Sequence, residues 1–153
     1  MRSLLRFKIE NPMGEYMPKA DYQFFFPFRV RYAETDAQGI VFNGNYLTYT
    51  DTAIYEYFRS LSFNFVEHVN QTGADFYTVR VEVDFLSPAH FDDEINAYVR
   101  TSRIGRSSLE FEVGIYQKDE DVEIVRAKVV WVNVDQKSKK PVQLPEELIQ
   151  LLS

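Results

Sequence analysis

The sequence predicts an α+β domain in which one antiparallel sheet wraps one long helix. Three observations carry this. From about Tyr46 to Ser60 there is no Pro or Gly, and Leu47, Thr50, Ile54, Tyr57, Phe58 and Leu61 recur at helical spacing. Further along, four segments alternate apolar and polar residues with the two-residue period of a strand. The links between those segments are too short to hold a crossover helix, so strands joined by them pair antiparallel. With 153 residues the chain suits one domain. A chain of that size buries roughly 68–70% of the surface its unfolded form exposes, so it needs no staple to hold a core.

In chain order, the first element is a strand in which Phe28, Val30 and Tyr32 alternate with Arg29 and Arg31, entered past Pro27. A polar segment, Glu34 to Gly39, follows. Asn43-Gly44-Asn45 then combines turn chemistry with helix N-cap chemistry. In the long helix Tyr46, Tyr49, Ala53 and Tyr55 spread apolar character around the cylinder. A helix apolar on most sides is buried on most sides, and this one spans roughly 22 Å. After a looser stretch containing Asn70-Gln71-Thr72-Gly73 come the strands: Val79 to Phe85, Ile95 to Arg100, Leu109 to Tyr116, and Val122 to Val134. The last carries Val125, Ala127, Val129 and Trp131 on one face and a mixed set on the other. Lys137 to Pro141 is a basic turn. Pro145-Glu146-Glu147 opens a short terminal helix, with Pro at its start and acids in its first turn. Residues 1–22 read as an N-terminal extension, with Met17 marking where the organised pattern begins, and residues 23–153 as a single domain.

The net charge of −6, from 17 basic and 23 acidic residues, argues against a broad nucleic-acid footprint. The absence of cysteine excludes disulfides, thiolate zinc sites and cysteine nucleophiles, and fits the cytoplasm. No apolar run approaches the roughly 20 residues of a membrane span, and the opening eight residues hold too short an apolar stretch for a signal peptide. The aromatic content of 16% points to a wide apolar pocket, a subunit interface or an aromatic-rich core. An exposed edge strand invites a second copy, so a homodimer is expected, or a homotetramer. His68 and His90 lack metal-ligand spacing and are expected on the surface or in loops, so no metal site is expected. Asp92-Asp93-Glu94 is expected to be a solvated acidic turn. No phosphate-binding glycine loop is present.

The chemistry concentrates between Tyr32 and Tyr46. Asp36 lies on a loop between a strand and a buried helix, and Gly39 lets that loop turn back. A helix N-terminus presents unpaired N–H groups and a partial positive charge. A carboxylate opposite such donors suits attack on a carbonyl, with the N–H groups holding the oxyanion. Alternatively, Asp36 closes an Asx-turn and Asn43 or Asn45 is an ordinary N-cap. The residues alone leave both readings open.

Tyr32, Thr35, Asp36, Gly39, Val41, Phe42 and Tyr46 match the signature of the 4-hydroxybenzoyl-CoA thioesterase family, a hotdog-fold family that includes a YbgC-like acyl-CoA thioesterase branch. The similarity extends through Asp84-Phe85-Leu86-Ser87-Pro88-Ala89, Arg103-Ile104-Gly105-Arg106-Ser107-Ser108, and Val134-Asp135 with Lys140-Pro141 and Leu144-Pro145, covering about residues 24 to 150. The resemblance implies acyl-CoA hydrolysis with Asp36 as nucleophile or general base and the Asn43 backbone N–H polarising the carbonyl. It sets Tyr32 beside the site and Gly39, Tyr46 and Asp51 on the substrate-binding side. It makes Arg103 and Arg106 candidate contacts for CoA phosphates. CoA enters only as part of the substrate, with no separate cofactor. The YbgC-like branch usually has His where this chain has Asn43. An imidazole titrates near neutrality and an amide does not, but the backbone donor survives the exchange. The alternatives are an acyl-carrier-protein thioesterase using the same site, a non-catalytic acyl-thioester-binding module, and a dehydratase. The last needs a His beside the loop or helix, and none is there.

Overall fold

The computed structural model describes residues 17–153; most of the expected extension, residues 1–16, lies outside them. The long helix is α1, Asn45–Ser60. Tyr46, Tyr49, Ala53, Ile54, Tyr57 and Phe58 are its buried apolar side chains, which fixes the rotation that periodicity alone left free.

Five strands surround it: β1 Phe24–Arg29, β2 Ala74–Phe85, β3 Glu94–Ile104, β4 Ser108–Gln117 and β5 Glu123–Asp135. They form one sheet in the order β1-β3-β4-β5-β2, every neighbouring pair antiparallel. Consecutive pairing was expected throughout, and it holds for β3-β4-β5 only. The eight-residue link between β2 and β3 carries the chain from one edge of the sheet to the strand beside the other edge, so β2 pairs with β5. Alternating residues line the helix-facing side, among them Val99, Val113, Phe111 and Trp131, all buried. Phe58 of α1 stacks on Trp131, ring centroids 5.7 Å apart. One sheet around one central helix is the hotdog architecture that the resemblance implied.

Five expectations need correction. The first strand ends at Arg29 and contains Pro27 rather than following it. Pro27 is tolerated because β1 is an edge, paired with β3 alone. The looser stretch before the strands holds a second helix, α2 Phe65–Thr72, capped by the Asn64 side chain accepting the Glu67 N–H and ended by Gly73 in the left-handed region. His68 of this helix is 5% exposed, and its Nε2 lies 3.2 Å from Asn133 Oδ1. The acidic turn is not simply solvated: Asp93 accepts the His90 N–H and the Gln117 amide. The terminal helix is present as α3, Glu146–Leu152, with Glu146 and Glu147 in its first turn, but Pro145 is its N-cap rather than its first helical residue.

Part of the expected extension packs on the outer face of the sheet. The Tyr22 ring meets Tyr98 with centroids 5.8 Å apart, and Lys19 lies 4.9 Å from the Tyr116 ring centroid.

Candidate active site

Asp36 opens a tight hairpin. Thr35 and Val41 face each other across an antiparallel bridge. The Asp36 N–H donates to the Ile40 carbonyl, and the Gly39 N–H to the Asp36 carbonyl, both at 2.9 Å. Gly39 has φ +75°, the left-handed conformation that closes such a loop and favours glycine. Asp36 Oδ1 accepts the Gln38 N–H at 2.8 Å, so the Asx-turn exists. That bond engages one oxygen of a group with about four acceptor positions. The second oxygen makes no hydrogen bond among the described residues.

The hairpin is fixed to the body on one side. The Val41 N–H donates to the Ala89 carbonyl, and Ile40 bridges to His90. The Tyr46 hydroxyl accepts the Ala89 N–H at 3.3 Å. Burial pushes the Tyr46 phenol up to about 12, and the charges of Asp93 and Asp36 add to the shift.

At the start of α1 the Asn45, Tyr46 and Leu47 N–H groups turn back to the carbonyls of Phe42, Asn43 and Gly44. Among the described residues the N–H groups of Asn43 and Gly44 make no hydrogen bond, as a helix start leaves its first donors free. Gly44 is the N-cap and provides no side-chain cap. Neither asparagine caps the helix: the Asn45 amide instead donates to the Glu34 carbonyl at 2.8 Å. The Phe42 ring lies against Gly44, where an added Cβ would sit 2.9 Å from it.

The remaining candidates are spread out. Tyr32 is 79% exposed, and its ring meets Phe91 edge-on with centroids 5.7 Å apart. Asp51 borders a cavity of about 420 Å³, lined by Leu47 and Thr48 of α1, Thr78 and Val81 of β2, and Val129 of β5. Asp51 is exposed on α1, and partial desolvation raises its carboxyl. The lining starts one turn beyond Gly44 and does not include Asp36. Arg103 and Arg106 are exposed at the β3–β4 hairpin, and β3 puts roughly 30 Å between them and the Asp36 turn. One chain does not bring them together. No group of three or more His, Asp or Glu among the described residues is arranged to hold a metal ion.

Reading the sequence missed Glu34 and its pairing with Tyr49. Glu34 is 8% exposed and accepts the Tyr49 hydroxyl at 2.5 Å. Glu34 and Tyr49 lie 15 residues apart on different elements, so no local pattern announces the pair.

A family model described as the thioesterase superfamily matches residues 38–124. The chain belongs to the thioesterase superfamily. The matched span starts two residues beyond Asp36. This thioesterase-superfamily chain is 29% identical over 128 residues to the acyl-CoA thioesterase YbgC of Haemophilus influenzae, covering 84% of this chain and 93% of the relative. It is 30% identical over 127 residues to the 1,4-dihydroxy-2-naphthoyl-CoA hydrolase of Nostoc punctiforme, covering 80% and 82%. Among solved structures, a Thermus thermophilus thioesterase complexed with coenzyme A and Zn superposes with a TM-score of 0.73 at 28% identity, covering 86% of this chain and 92% of that one. No helix of the described residues is long and apolar enough to cross a membrane.

Proposed function

We propose that this protein hydrolyses an acyl-CoA thioester to the free acid and CoA, with Asp36 as its catalytic carboxylate. The observation that carries the reading is the pair of unbonded N–H groups at Asn43 and Gly44, beside a hairpin whose Asp36 keeps one oxygen free. Two such donors suit the oxyanion that forms when a thioester carbonyl is attacked. The family membership and the acyl-CoA relatives support the substrate class.

Asp36 attacks the carbonyl carbon, or activates a water that does. In the first route the C–S bond breaks, the CoA thiolate leaves and takes up a proton, and water cleaves the resulting mixed anhydride. In the second, water adds to the carbonyl carbon as Asp36 takes its proton, and the adduct then collapses with C–S cleavage, the proton passing to the departing CoA thiolate. Tyr46, behind the hairpin, provides a dry wall. The acyl group runs from the helix start along α1 into the cavity, where Asp51 faces it. The long free edge of β2, with Tyr77, Val79 and Val81 exposed, is the seat for a second copy. Arg103 and Arg106 then serve CoA phosphates only across that assembly. We place the enzyme in the cytoplasm, which its cysteine-free sequence fits.

The test is hydrolysis of short, long and aromatic acyl-CoAs by the wild type and Asp36→Asn. The amide retains the oxygen that accepts from Gln38, so the hairpin stays closed and only the chemistry is removed. The expected loss is about 10²-fold or more. Unchanged activity in the variant rejects Asp36; a wild type inert toward every thioester favours a binding module.

A further inference from the structure

The structure assigns Glu34 as the positioning residue of the Asp36 site, acting through Tyr49 and Arg31. The assignment rests on the hydrolytic reading above and concerns how its two halves are held in register.

Every acceptor of Glu34 is in use. Oε2 accepts the Arg31 backbone N–H at 2.8 Å and the Tyr49 hydroxyl at 2.5 Å. Oε1 accepts Nε and Nη2 of Arg31 at 3.0 and 2.8 Å. Its main-chain carbonyl accepts the Phe42 N–H at 2.9 Å and the Asn45 amide at 2.8 Å. One residue thus holds four parts of the chain. These are the segment entering the site (Arg31), the strand leaving the hairpin (Phe42), the first residue of α1 (Asn45) and its second turn (Tyr49).

Asp36 follows Glu34 by two residues, and Asn43 follows Phe42 by one. The catalytic carboxylate and the free N–H groups are therefore registered against each other through Glu34. A buried carboxylate is tolerated only when fully satisfied; for packing alone, an apolar side chain of the same volume would serve as well or better. Here six donors from four residues converge on Glu34 from the hairpin side and from the α1 side. A misplacement of about 1 Å at such a gap costs on the order of 10²-fold in rate.

The experiment compares Tyr49→Phe and Glu34→Gln with Asp36→Asn and the wild type, and Asn45→Ala replaces Glu34→Gln if that variant does not fold. Three measurements are made: kcat and KM on a hydrolysed acyl-CoA, melting temperature, and backbone amide hydrogen exchange across residues 35–44. Positioning predicts that Tyr49→Phe lowers kcat about 10- to 100-fold with KM within about 3-fold. It also predicts faster exchange in the hairpin with the interior of α1 unchanged. If Asp36→Asn is inactive while Tyr49→Phe keeps full kcat and wild-type exchange, the positioning role is overturned and hydrolysis stands. If kcat, KM and melting all worsen together with exchange rising throughout α1, Glu34 is a stability residue only and the role is overturned. If Asp36→Asn stays fully active, the hydrolytic reading falls and takes the positioning role with it. Hairpin exchange then reports whether the clamp exists as structure alone.

Discussion

Asn133 and His68 join β5 to α2, and their pairing can be measured as a coupling. Asn133 is 1% exposed and His68 5%. The Asn133 amide nitrogen donates to the Gln143 carbonyl at 3.2 Å, which leaves its oxygen for His68 Nε2 at 3.2 Å. The ring therefore donates from Nε2 to Asn133, while its face stacks on Phe76 with centroids 5.3 Å apart. Asn133→Leu strands a buried N–H and is expected to cost about 1–3 kcal/mol. For a domain of this size that lowers the melting temperature by roughly 2–12 °C. His68→Phe strands the Asn133 oxygen at a similar cost. The double variant removes both partners and leaves an apolar pair beside Phe63 and Phe76, so its loss falls short of the sum by about 0.5–3 kcal/mol. Urea unfolding of all four proteins reads this, at one protein concentration so that association contributes equally. Additive losses, within about 0.3 kcal/mol, would refute the pairing. Acyl-CoA hydrolysis should not change in the folded variants.

Gly114→Ala would place a Cβ 2.6 Å from the Tyr22 hydroxyl and 2.8 Å from the Tyr116 ring. It is expected to destabilise by about 1–3 kcal/mol, seen as a lower melting temperature, and a neutral result would mean Tyr22 does not sit on the sheet. The pH dependence of Glu34 has a definite sign. Burial raises its carboxyl, but the bonds from Tyr49 and Arg31 outweigh burial and hold it below its ordinary value. Its stabilising contribution is complete above the unfolded value of about 4.3 and fades as pH falls through the lower folded value. The stability gap between wild type and Glu34→Gln should thus be flat near neutrality and close on acidification. A gap that widens in acid contradicts the assignment.

The long helix was readable because sixteen residues without Pro or Gly repeat one buried face. The four later strands were readable because alternation marks a half-buried ribbon. The order of strands in the sheet was not: β2 reaches β5 across a link whose eight residues say nothing of direction. Helix α2 escaped because eight residues give two turns, too few for periodicity, although Asn64 and Gly73 marked its ends. At the site, Asp36 and the helix start were visible as a motif. Glu34 was not, since a polar residue in a polar segment looks solvated until Tyr49 and Arg31 fold over it. Arg103 and Arg106 were grouped with the site by resemblance, and the length of β3 separates them.

Pro27 bears on which rim of the sheet is open to a further strand. The outer rim of β1 holds a residue without an amide hydrogen, opposite Asn96, so it offers an interrupted row to any further strand. The rim of β2 is longer and keeps its donors. A sheet with two inviting rims can add neighbours without end, whereas one with a single inviting rim stops growing once that rim is matched with its own twin.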